Sequence, residues 1–95
     1  MVHNEPRRLN KTLYFFKEAE KVKIKLEGEI KAHKLAQGKE GTINQLENFY
    51  KDIELMIESE SHIPSYPRVI TDTWDYNSEL GNKLLDLYEF YKDRG

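Results

Sequence analysis

The 95-residue chain contains no cysteine, which excludes disulfides, thiolate nucleophiles, iron–sulfur clusters and cysteine zinc sites together. Glycine (5) and proline (3) are scarce, so the few that occur mark where the chain turns. No stretch approaches the roughly 20 apolar residues that a membrane-spanning helix needs. The opening residues Met1 to Pro6 lack the apolar core of a signal peptide. A soluble cytoplasmic protein with no membrane contact is the expectation, and the glycosylation triplet Asn10-Lys11-Thr12 is then a chance match. The glycines at 28, 38, 41 and 81 form no phosphate-cradling turn between a strand and a helix.

What is present is charge and aromatic surface. Apolar residues make up 38% and charged residues 34%, less apolar than an average domain, yet 12% aromatic residues argue against disorder. The length predicts one domain over residues 1–95 with a thin core and a frayed tail over 1–7. The net charge of -2 conceals a split: residues 1–41 hold ten Lys/Arg against six Asp/Glu, and residues 42–95 hold five against eleven. Either a basic element packs beside acidic ones, or one half faces a partner of opposite charge.

Periodicity predicts an all-α fold. Ile43, Leu46, Phe49, Tyr50, Ile53, Met56 and Ile57 recur at steps of three and four, which makes 42–59 a helix, and Thr42 with Gln45 reads as a capping box. A later helix is expected from Thr71–Thr73 to about Lys92, on the stripe Trp74, Asn77, Leu80, Leu84, Leu87 and Tyr91. Gly81 inside it costs roughly 1 kcal/mol against alanine and leaves room for a neighbouring helix. Residues 8–37 carry the helical stripe Phe15, Ala19, Val22, Leu26, Ile30 and His33. A minority alternative is α+β, because Val22, Ile24 and Leu26 alternate with Lys23 and Lys25, the pattern of a short hairpin over 22–35.

Gly38 to Gly41 gives the first two helices a tight antiparallel turn, whereas Pro64 and Pro67 predict an irregular connection over 60–71. The expected architecture is a small three-helix bundle, a helical hairpin plus a third helix after the Pro-containing loop. An up-down-up course would gather Tyr14, Phe15 and Phe16 with Met56, Ile57 and Trp74, and Ile30 and Leu35 with Leu46, Leu87 and Tyr91.

Chemistry-bearing constellations are few. His3 lies in the tail, Glu29 and His33 read as a helix-surface pair with no second pair to complete a metal site, and His62 beside Ser59 and Ser61 lacks the geometry of an activated nucleophile by adjacency alone. Glu54 with Glu58 and Asp72 with Asp75 fall on faces that periodicity gives to solvent. Pro64 to Pro67, followed by Arg68, is a Pro-x-x-Pro too short to carry weight. No catalytic residue, cofactor or metal ligand is therefore expected, and the chain does not read as an enzyme.

Tyr14-Phe15-Phe16 and Tyr88 to Tyr91 exceed what helical stripes bury, with Phe90 the outlier of the second group. The expected function is a non-catalytic protein-binding module, a small regulator, inhibitor, immunity-type protein or adaptor. Its contacts are expected from Tyr14, Phe15, Tyr66, Trp74, Tyr76 and Phe90, with homodimerisation a related option. The alternative is nucleic-acid binding by the basic first helix, with Lys21, Lys23 and Lys25 on phosphates.

Overall fold

The computed structural model describes residues 4–94 and the side chains of 11–93. His3 and the start of the expected tail lie outside the described residues, and helix already begins at Asn4. Four helices follow one another: α1 (Asn4–Lys34), α2 (Ile43–Glu58), α3 (Tyr66–Thr73) and α4 (Glu79–Arg94). The all-α expectation therefore holds among the described residues, and the three-helix arrangement is replaced by four helices.

The expected stripe makes α1. Phe15, Ala19, Val22 and Leu26 are buried along one side, and helix runs unbroken through Gly28. The hairpin over 22–35 does not form. An isolated pair of strands has little to pack against, whereas one helix buries Val22 and Leu26 together and turns Ile24 outward. The helix stops three residues before the expected Gln37. The amide of Ala36 bonds the carbonyl of His33 at 3.0 Å and that of Gln37 bonds the carbonyl of Ala32 at 2.8 Å. Together they form a Schellman ending. Its left-handed position is filled by Ala36 at φ 61°, where glycine is the usual occupant.

The second helix follows its sequence signal. Thr42 accepts the Gln45 amide at 3.1 Å while Gln45 Oε1 accepts the Thr42 amide at 3.2 Å, and Leu46, Phe49, Ile53 and Met56 are buried. Gly41, at φ 61°, lies against the Trp74 ring, which an added Cβ would meet at 2.5 Å.

The second half departs from expectation. The prolines predict an irregular 60–71, yet α3 begins at Tyr66 with Pro67 in its first turn, where a missing N–H has no partner to lose. The long final helix from Thr71–Thr73 is instead interrupted over 74–78. Trp74 is extended, Asp75 Oδ1 accepts the Asn77 amide at 2.9 Å, and Ser78 Oγ accepts the Gly81 amide at 2.9 Å. That aspartate turn followed by a serine cap outcompetes the apolar periodicity. Gly81 thus lies in the first turn of α4, and an added Cβ there would meet Ser78 and Trp74 rather than another helix.

This interruption changes the topology. α1 packs against both α2 and α4, and α3 lies against α2 and α4. Tyr14 meets Phe90 with ring centroids 4.9 Å apart, and Phe15 meets Tyr91 at 5.5 Å. Hence α4 runs antiparallel to α1 and parallel to α2, and the up-down-up course is corrected. Trp74 sits instead against Phe49 at 5.5 Å, near the start of α2, while Tyr91 is remote from Ile30 and Leu35 is exposed. The short α3 carries the chain back along α2, so that α2 and α4 start at the same end, where the Ser78 hydroxyl donates to the Glu40 carboxylate.

Because a left-handed alanine costs about 1 kcal/mol or more, Ala36→Gly should stabilise the fold by about 1 kcal/mol. A urea titration with a raised midpoint and an unchanged slope is the expected result; a lowered midpoint would contradict the left-handed ending.

Candidate functional site

With Phe15, Ala19, Val22 and Leu26 turned inward, a second set of residues, two in α1 and one in the turn that ends it, points away from the bundle. Leu13, Ile24 and Leu35 recur at intervals of eleven residues, close to three helical turns, so all three share one outward line. They are 61%, 65% and 64% exposed, and Tyr14 beside them is 49% exposed. Lys17, Lys21, Lys25 and Lys31 are exposed in the same sector. Lys21 pairs with Glu18 at 3.3 Å, whereas Lys17, Lys25 and Lys31 have no carboxylate partner among the described residues.

Each acid among the described side chains of α1 has a partner, although Glu20 and Glu27 are exposed on this side as well. Glu20 pairs with Lys23 at 3.8 Å. Glu27 accepts the Tyr50 hydroxyl at 3.0 Å, a bond that is the chief reason this hydroxyl's pKa lies above its ordinary value. Glu29 accepts the amides of Lys39 and Glu40, the latter at 2.7 Å. His33 Nε2 donates to the Glu40 carbonyl at 2.8 Å. Glu29 and His33 are both mostly covered, so the expected helix-surface pair is in fact a partly buried tie between α1 and the following loop.

A groove of about 260 Å³ runs between α1 and α4, with Tyr14, Glu18, Lys21 and Lys25 on one wall and Lys83, Asp86 and Phe90 on the other. Tyr14 and Phe90 close one end edge to face, at an interplanar angle of 77°. Gly28 continues the α1 wall, and an added Cβ there would meet nothing within 4 Å.

The structure divides the expected phosphate-binding trio. Lys21 and Lys25 border the groove together with Lys83. Lys23 lies on the opposite flank, its ammonium 5.2 Å from the centre of the Tyr50 ring, because residues two apart on a helix project in widely different directions.

Of the expected aromatic contacts, Phe15 and Tyr66 are corrected: both are fully buried and unavailable to a partner in this fold. Phe15 falls on the same side as Ala19 and Val22, and Tyr66 donates its hydroxyl to the Leu84 carbonyl at 2.8 Å. Trp74 is half-buried, its Nε1 donating to Gln45 Oε1 at 3.1 Å. Tyr76 is 86% exposed in the turn before α4, away from the α1 face. Only Tyr14 and Phe90 of the six come together at the surface. Leu13, Ile24 and Leu35 were missed as a set because the inward stripe dominates the periodicity, although their eleven-residue spacing was readable.

The constellation closest to a catalytic pattern is Asp52 with His62. Asp52 Oδ1 lies 3.0 Å from His62 Nε2, and Oδ2 accepts the Ser65 amide at 2.9 Å, the Ser65 hydroxyl at 3.2 Å and the Tyr66 amide at 3.2 Å. Ser59 Oγ and Ser61 Oγ bond each other at 2.9 Å, and no hydrogen bond joins either to the His62 ring among the described residues. The arrangement clamps the start of α3. Pro64 is buried and Pro67 is helical, so the Pro-x-x-Pro segment is not an exposed extended ligand. Among the described residues no three His, Asp or Glu converge as metal ligands, and no helix is long and apolar enough to cross a membrane.

No protein-family model, curated protein or solved structure matches this chain.

Two stability tests follow from the clamp. Asp52→Ala leaves up to four donors unsatisfied and should cost roughly 3 kcal/mol, read as a lowered midpoint in thermal and urea unfolding; a change within error would deny Asp52 its role. Burial foremost, then the neighbouring Asp52 charge, pushes the Tyr66 hydroxyl pKa well above the ordinary value of 10.0. The folded state therefore keeps this proton where the unfolded chain loses it. Tyr66 should make stability fall as pH rises above about 10, and Tyr66→Phe should flatten that alkaline decline in urea titrations.

Proposed function

We propose that this protein is a non-catalytic binding module that docks another protein on the outward side of α1, in the manner of a small regulator or adaptor. The observation that carries the reading is the alignment of Leu13, Ile24 and Leu35, with Tyr14 beside them, on a face that the bundle leaves exposed. A helix already buried along its opposite side gains nothing in its own fold from aliphatic residues set at three-turn intervals in water. With the lysines around them that lack a carboxylate partner among the described residues, and the aromatic pair beside them, we read them as a protein-binding surface. The Tyr14–Phe90 pair, at the mouth of the α1–α4 groove, supplies the aromatic element that interfaces favour.

Nucleic-acid binding draws less support. Phosphate contacts want cations converging on one backbone path, and Lys23 is drawn to the Tyr50 side, away from Lys21 and Lys25. Self-association through the same face sets the lysines of one copy against those of another, which disfavours it.

A photo-crosslinking residue at Ile24, with one at Glu47 on the exposed face of α2 as control, tests the reading in cells that make the protein. A discrete adduct to another protein from position 24 and none from position 47 is the expected outcome. Adducts to nucleic acid alone, or no adduct from either Ile24 or Tyr14, would refute docking on α1.

A further inference from the structure

The α1 face has a chemical sign as well as a shape. Between and beside its aliphatic residues stand Lys17, Lys21, Lys25 and Lys31, against two exposed carboxylates, Glu20 drawn to Lys23 and Glu27 to the Tyr50 hydroxyl. The apolar line and the cations alternate along the helix from Leu13 to Leu35, about 33 Å at 1.5 Å per residue. Among the described residues no acidic element covers them: α2 and α4 occupy the flanks of α1, and Leu13, Ile24 and Leu35 stay open to water.

From this we infer that the partner presents an acidic amphipathic helix, its aliphatic residues lying along Leu13, Ile24 and Leu35 and its carboxylates meeting Lys17, Lys25 and Lys31. The inference rests on the protein-binding reading and narrows it. Complementary charge speeds encounter and rejects wrong partners, and an apolar line on a helix is met by a matching line on another. Gly28 lies between Ile24 and Lys31 with open space where a Cβ would stand, which lets a partner backbone come close at the middle of the face. Anionic membrane is the less fitting occupant. Insertion into a lipid interface uses a broad apolar side, and the broad apolar side of α1 is already spent on the core. The remaining aliphatic residues are single and widely spaced. A nucleic-acid backbone would engage the lysines and leave the aliphatic residues without a role.

The test uses the full chain, isotope-labelled for NMR, and a synthetic helix-forming peptide long enough to span Leu13 to Leu35. The peptide carries Leu and Ala along one side and Glu on both flanks. The same peptide with Lys for Glu, a short DNA duplex and vesicles of phosphatidylserine with phosphatidylcholine serve as competitors. The Glu peptide is expected to shift the amide signals of α1 around Leu13, Ile24 and Lys31. Its affinity should fall about tenfold or more in the variant Lys17→Glu/Lys25→Glu/Lys31→Glu, which should in turn bind the Lys peptide. Ile24→Ser should weaken binding while circular dichroism and melting stay unchanged, since the side chain is exposed. Equal binding of the Lys peptide, shifts confined to another face, no shifts at all, or tighter binding of DNA or vesicles would each overturn the inference. Should the crosslink at Ile24 capture a partner whose contact segment is neutral or basic, docking on α1 stands and the acidic helix falls. Loss of the crosslink removes both.

Discussion

The carboxylate of Asp52 is the contact on which the second half of the molecule depends. A charged group this covered is costly unless its lone pairs are used, and here they take bonds from the His62 ring, the Ser65 amide and hydroxyl, and the Tyr66 amide. Two of these donors are backbone groups at the start of α3, which Ser65 leaves without a side-chain cap of its own. An aspartate on α2 thus begins a helix more than a dozen residues away. With α3 fixed, Tyr66 is directed into the core against Phe49 and its hydroxyl reaches the Leu84 carbonyl. The chain is carried back along α2, and α4 can then start beside the beginning of α2 and pair with α1 in the opposite sense.

Much of the first half could be read from the sequence because one signal dominated at each place. The Thr42–Gln45 capping box and the apolar steps that follow admit only a helix, and the inward stripe of α1 outweighed the short alternation around Ile24. The second half carried conflicting signals. Pro67 forbids helix in an interior turn but occupies the first turn of α3, which tolerates it. The apolar spacing from Trp74 to Leu84 ran across a break that Asp75 and Ser78 impose by local hydrogen bonding. Reversing the direction of the last helix followed from that break, since a longer helix begun at Thr73 has no return segment to precede it. Asp52 gave a weak signal: it stands three residues after Phe49 and four before Met56, at the margin of a buried stripe, where a carboxylate needs a reason to be.

The surface shows the same contrast. A run of lysines in the sequence suggested one patch, yet helical geometry sends Lys23 to the α2 side and brings Lys83 from α4 to join Lys21 and Lys25. Neighbouring aromatics suggested a common exposed cluster, yet Phe15 and Tyr66 belong to the core. The face that emerges was hidden in plain spacing, because residues at the back of a strong inward stripe look like interruptions until the helix is wound.

The shared starting end of α2 and α4 has an electrostatic consequence. Helix N-termini carry about half a positive elementary charge each, and C-termini the opposite. Two such positive ends meet there beside two negative ones, the ends of α1 and of α3, whose cap residue Trp74 donates to Gln45 in the first turn of α2. Glu29, Glu40 and Glu79 lie at that same end, Glu29 on the loop amides and Glu79 in the first turn of α4. Part of the acidity of this chain thus holds the junctions at this end, on the loop amides, the Ser78 hydroxyl and the first turn of α4. It is engaged within the fold, whereas Lys17, Lys25 and Lys31 on the outward side of α1 have no carboxylate partner among the described residues.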